Sequence, residues 1–140
     1  MPAALTRYDA ARRALAEAHR VDEVKKIRDK AVAMQVYATQ AKDTTLITQA
    51  TDIRMRAERR AGELLIEMAE RRERQKSGDA DGRRSQPSVP KLSDLGISKT
   101  QSSRWQGLAR LAPEAFEGQV ERASKQARLR SDRAQLPARG

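Results

Sequence analysis

The sequence predicts an all-α protein, and three observations carry that expectation. Ala, Glu, Arg, Lys and Gln, all good helix formers, dominate the first half of the chain. Apolar residues recur there at spacings of three and four, the period of one helix face. Glycine and proline, the residues that break helices, gather in the second half. Only 38% of the 140 residues are hydrophobic, with one Phe, two Tyr and one Trp. That is thin material for a single thick core, so long helices that bury their stripes against a partner chain are expected.

The first helix is expected over residues 4–19, where Leu5, Tyr8, Ala11, Leu15 and Ala18 form one stripe. Val21-Asp22 interrupts it, with Asp22 a candidate N-cap for a second helix. That helix carries Val24, Ile27, Ala31, Met34 and Ala38, and Val36 and Tyr37 would widen the stripe. Lys42-Asp43-Thr44-Thr45 supplies a break and a new cap. The third helix should run from about Thr45 to Lys76 with Leu46, Ala50, Ile53, Ala57, Ala61, Leu64 and Met68 as its seam. Alanines in a seam let helices approach closely, which favours a helical hairpin or a coiled coil. Residues 1–75 are therefore read as a helical oligomerisation region, pairing the chain as a homodimer or higher homo-oligomer.

The opposite face of the third helix alternates Arg54, Arg56, Arg59, Arg60, Arg71, Arg72 and Arg74 with Glu58, Glu63, Glu67, Glu70 and Glu73. Such a mix reads as a solvated face laced with i,i+4 pairs. Its second reading is a phosphate-tracking stripe at Arg54, Arg56, Arg59 and Arg60. Residues 76–90 are small, polar or helix-breaking and read as a flexible linker, in which Arg83 and Arg84 could also touch phosphates. An ordered unit at 91–126 follows, and then a basic, disordered tail at 127–140.

Charge narrows the partner. Lys and Arg number 29 against 19 Asp and Glu, a formal net charge of +10, which suits a polyanion. No run of 18 or more apolar residues suggests a membrane span, and no apolar stretch behind a basic start suggests a signal peptide. A cytoplasmic, nucleoid-associated protein is the expectation. Cysteine is absent, which excludes disulfides, thiolate metal sites and a Cys nucleophile. His19 is the sole histidine, read as an exposed helical residue. The chain has no Gly-rich phosphate loop, no strand pattern for a nucleotide fold and no nucleophile elbow. Glu67 and Glu70 lie among arginines and read as surface pairs. No enzyme activity, metal or cofactor is expected.

The most specific stretch is Lys91 to Gln106. A helix-turn-helix needs a short first helix, a glycine at positive φ, an apolar anchor, and a Ser or Thr cap on the second helix. Here Gly96 ends the first helix, Ile97 anchors the turn, Ser98 caps the second helix, and Trp105 returns to the buried face with Leu108 behind it. The side left exposed offers Ser98, Lys99, Thr100, Gln101, Ser103 and Arg104, short polar and basic groups suited to phosphates and base edges of double-stranded DNA.

Leu95-Gly96-Ile97-Ser98 and Ser103-Arg104-Trp105 resemble the turn and recognition helix of bacterial and phage helix-turn-helix regulators. The continuation from Leu108 through Pro113 to Phe116 is similar to the segment that follows this motif in ParB-like partition proteins. The whole arrangement resembles small basic helix-turn-helix proteins of phages and integrated elements. The resemblance implies a DNA-binding transcriptional regulator or partition-like factor; a DNA-packaging recognition subunit and a helical interaction module (an inhibitor or adaptor) are the alternatives. Two positions depart from the pattern. Ser102 stands where a buried Val or Ile is usual, and Pro90 shortens the first helix to Lys91–Leu95. Pro113 suits the first turn of a further helix, in which Phe116 would share a small core with Trp105.

Overall fold

The computed structural model describes residues 3–78 and 91–134, with side chains described over 7–72 and 91–133. Every regular element among them is helical: α1 (Ala3–Glu17), α2 (Val21–Ala41), α3 (Thr44–Gly78), α4 (Leu92–Leu95), α5 (Lys99–Ala109) and α6 (Pro113–Ala134).

Helix α3 is the axis. Its seam is buried as the spacing predicts, with Ala50, Ile53, Ala57, Ala61, Leu64 and Met68 inside. A second stripe is buried as well: Ile47, Thr51, Met55, Glu58, Gly62 and Leu65. That stripe mixes apolar, polar and glycine residues, so a search for apolar periodicity passes over it. Thr51 is accommodated because its hydroxyl donates to Ile47 O at 2.8 Å, within the helix.

Both stripes are covered by the same chain. Helix α2 returns antiparallel to α3, which brings Arg28 to Glu58, Gln35 to Arg54 and Ala38 to Ile47. Helix α6 is also antiparallel to α3, with Glu117 at Arg56 and Arg128 at Thr48. Helix α1 runs parallel to it: Tyr8 OH donates to Asp52, and Arg60 donates to Ala18 O. Unit 91–134 is packed on the long helix, with Ile97 and Trp105 in one cluster with Val24, Ala57, Ala61 and Leu64.

Gly62 marks a close crossing of α3 and α5. A Cβ there would overlap the backbone carbonyl of Trp105 and lie 2.9 Å from Gln106 N. Only hydrogen fits between α3 and α5, and this sets the depth at which Trp105 enters the core.

Several boundaries differ from expectation. Asp22 does not cap α2; it stands in the first turn, where a carboxylate favours the helix N-terminus, and Arg20 holds the N-cap position. The second break falls where predicted, with Asp43 Oδ1 accepting from Leu46 N at 3.0 Å and Lys42 in the left-handed region. Helix α3 extends to Gly78, into the segment read as linker. Val36 and Tyr37 do not widen the α2 stripe; both are exposed. His19 is exposed but lies between α1 and α2 rather than in a helix.

The tail is the largest correction. Helix α6 continues past 126 to Ala134. Phe116, Val120, Ser124, Ala127 and Ser131 are buried along it at helical spacing. Small residues carry the stripe beyond Val120, so the second half of α6 reads as polar although it packs on α3. Phe116 also joins Met55, Val120 and Leu108, a cluster separate from that of Trp105.

Candidate nucleic-acid interface

The region from Lys91 to Ala109 builds a turn between two helices from local rules. Asp94 Oδ2 accepts from Lys91 N at 3.3 Å and starts the single turn of α4. Gly96 adopts φ 70°, the left-handed conformation that glycine enters without strain. Gly96 N then donates to Ser93 O and Ile97 N to Leu92 O, which closes α4 and turns Ile97 into the core.

Ser98 and Gln101 form a reciprocal capping box. Ser98 Oγ accepts from Gln101 N, and Gln101 Oε1 accepts from Ser98 N, each at 3.0 Å. The side chains of Ser98 and Gln101, both named from sequence as DNA contacts, are thus committed to starting α5. Ser102, the departure from the regulator pattern, is buried and satisfied, with Gln106 Nε2 donating to its Oγ at 2.9 Å.

Trp105 is 2% exposed. Arg28 of α2 lies over its ring with 5.4 Å from the guanidinium carbon to the ring centre. Arg28 also donates to Glu58 at 2.9 Å, and Glu58 accepts from Arg54 at 3.2 Å. A buried carboxylate on α3 therefore anchors the cation that covers the tryptophan from α2.

With Ser102 and Trp105 turned inward, α5 presents Lys99, Thr100, Ser103, Arg104 and Gly107 outward, all exposed, with Arg110 just past its end. From Leu95 to Pro113 the chain holds three cationic residues, Lys99, Arg104 and Arg110, and no Asp or Glu. Lys99 and Arg104 make no ion pair among the described residues. Nothing lies within 4 Å of a Cβ built at Gly107, so the face is open towards the C-terminal end of α5. No protein-family model, curated protein or solved structure matches the chain. The candidate site stands on this geometry.

The secondary phosphate contacts named from sequence are placed differently. Arg54 donates to Gln35 and Glu58. Arg56 bridges Asp52 at 2.7 Å and Glu117 at 2.7 Å. Arg59 stacks over Phe116 at 4.5 Å and donates to Leu111 O at 3.0 Å. Arg60 holds Ala18 O and Glu63. All four are half-buried and join α3 to its neighbours or brace its own turns. Arg83 and Arg84 lie outside the described residues.

Electrostatics agree with this division of labour. The hydrogen bond that Arg56 donates to Glu117, set against partial burial, raises the Arg56 guanidinium above its ordinary pKa. The same bond lowers the Glu117 carboxyl below the usual carboxylate range. Sequence periodicity missed these latches because an arginine on a polar face looks alike whether it faces water or the next helix. The signal available was Glu117 itself, an acid just past the turn into α6.

Among the described residues, no group of His, Asp and Glu is placed to hold a metal ion, and no helix is long and apolar enough to cross a membrane.

Proposed function

We propose that this protein binds double-stranded DNA by laying the outer face of α5 into the major groove, with α4 and the Gly96 turn as the first half of a helix-turn-helix. The supporting observation is the exposed face of Lys99, Thr100, Ser103 and Arg104, which carries cations, hydroxyls and no carboxylate. Eleven residues make α5 about 16 Å long, and the major groove, about 12 Å wide, accepts such a helix. Lys99, Arg104 and Arg110 take phosphates, while Thr100 and Ser103 reach base edges or sugar-phosphate oxygens. Ser98 and Gln101 act by fixing the helix start; Arg56 and Arg59 act by tying α6 and the turn before it to α3, and Arg54 and Arg60 by tying α3 to α2 and to the turn after α1.

On this reading the chain is a small DNA-binding protein of the kind encoded by phages and mobile elements, acting in transcriptional regulation or partition-like marking of DNA. Affinity rests mainly on counterion release: three phosphate contacts correspond to a slope of about −3 in log K against log salt. Fluorescence anisotropy with duplex DNA at several salt concentrations tests it, comparing the wild type with a Lys99→Ala/Arg104→Ala variant. Weaker binding with a salt slope shallower by about 2 supports the reading. Equal binding by both proteins, or none by either, removes it.

A further inference from the structure

A groove of about 900 Å³ runs between α1 and α2 with α3 as its floor. It takes no part in the α5 face. Tyr8 and Ala11 form one wall, Met34 and Tyr37 the other, and Ala50 and Ile53 lie beneath. Tyr37, 60% exposed at the rim, is the most exposed large hydrophobic side chain among the described residues.

Charge specifies what fits. The charged residues lining the groove are Arg7 on α1 and Lys30 on α2, both exposed, and among the described residues no carboxylate lines it. Neither cation makes an ion pair or hydrogen bond among the described residues.

We infer that this groove docks an amphipathic helix of a partner protein, one whose apolar stripe is flanked by acidic residues. Apolar side chains at i, i+3, i+4 and i+7 fill a groove of this kind. Flanking carboxylates meet Arg7 and Lys30 on opposite walls. A second copy of this chain is the poorer match, because the groove's two lining cations would approach those of its twin.

The test uses full-length protein and a labelled amphipathic peptide of about five helical turns. The peptide has a Leu/Ile stripe flanked by Glu; its control carries Lys in place of every Glu. Saturable anisotropy is expected for the Glu peptide and not for the Lys peptide. Ala33→Glu, at an exposed lining position, should abolish binding without lowering the melting temperature. Arg7→Glu/Lys30→Glu should weaken the Glu peptide roughly fivefold, the size of two exposed ion pairs, and should favour the Lys peptide. Equal binding of both peptides, or none of the Glu peptide, overturns the inference. So does a concentration-dependent dimer in sedimentation that Ala33→Glu dissolves, which would give the groove to a second copy. DNA binding should be unchanged in all these variants, so the two proposals fail separately.

Discussion

Replacing Gly62 with alanine puts one methyl group into the contact between α3 and the α5 backbone. In an open helix this change is favourable by about 1 kcal/mol, because alanine is the better helix former. At Gly62 the new Cβ would overlap the carbonyl of Trp105, and an ordinary Cβ contact needs 3.4–4 Å. Backbone cannot rotate away as a side chain can, so α5 must retreat by about 1 Å or more, enough to forfeit a quarter to a half of the contact energy across the gap. Full loss of a buried tryptophan is worth about 3–5 kcal/mol, so the gap costs about 1–2 kcal/mol. Overpacking strain adds about 1–3 kcal/mol. Set against the gain in helix propensity, Gly62→Ala should destabilise by about 2 kcal/mol. That corresponds to a fall in Tm of about 6–8 °C for a chain of this size. Gly107, with open space around it, is the internal control, and Gly107→Ala should raise Tm by about 3 °C. Thermal unfolding followed by circular dichroism, with Trp105 fluorescence as a second probe, reads both. If Gly62→Ala also raised Tm, α5 would not lie against α3 as described.

Three further outcomes follow from the same contacts. Glu58→Ala strands Arg28 and Arg54 and should lose about 2–3 kcal/mol in urea unfolding. This is less than for a fully buried pair, because the two arginine side chains keep 21% and 25% exposure; a loss under about 0.5 kcal/mol would mark the pair as solvent-screened. Ser98→Ala removes half of the capping box and should cost about 1 kcal/mol, with faster amide exchange in the first turn of α5. Unchanged exchange there would contradict the capping role. Glu117 has its folded pKa depressed chiefly by the Arg56 hydrogen bond, so its stabilisation is present above the unfolded carboxylate pKa of about 4.3 and fades as pH falls through the lower folded value. The stability difference between wild type and Glu117→Gln should shrink below about pH 4. The effect is small because the side chain is 55% exposed, and an NMR titration midpoint at or above the ordinary carboxylate value would refute it.

Helix content and the main seam of α3 were legible because Leu, Ile, Met and Ala at period 3.6 leave a plain trace. The Gly96 turn and the Ser98 cap were legible for the same kind of reason, since each depends on one local residue type. What escaped is long-range. Gly62 leaves no trace in the apolar pattern, and only the approach of Trp105 shows it to be a contact surface. Ser124, Ala127 and Ser131 carry the packed face of α6 without a large apolar side chain among them, so a helix read as a tail. The arginines from Arg54 to Arg60 could be named as candidates for phosphate, but their partners lie on α3 itself (Asp52, Glu58 and Glu63), on α2 and α6 (Gln35 and Glu117), and in the turns at Ala18 and Leu111. In the candidate site, the split of Ser98 and Gln101 from Lys99, Thr100, Ser103 and Arg104 is a matter of which side chains complete the cap. Ser98 is legible as a cap from its residue type, whereas Gln101 is marked as its reciprocal partner only by the two hydrogen bonds.

The central claim is that the exposed face of α5 grips DNA, and salt-dependent binding of the Lys99→Ala/Arg104→Ala variant tests it most directly. Both side chains are exposed and outside the core, so the variant should keep its Tm. Its affinity for duplex DNA should fall, and its salt slope should become shallower by about 2. Wild-type affinity and slope in the variant, or a wild type that does not bind duplex DNA, would contradict the claim.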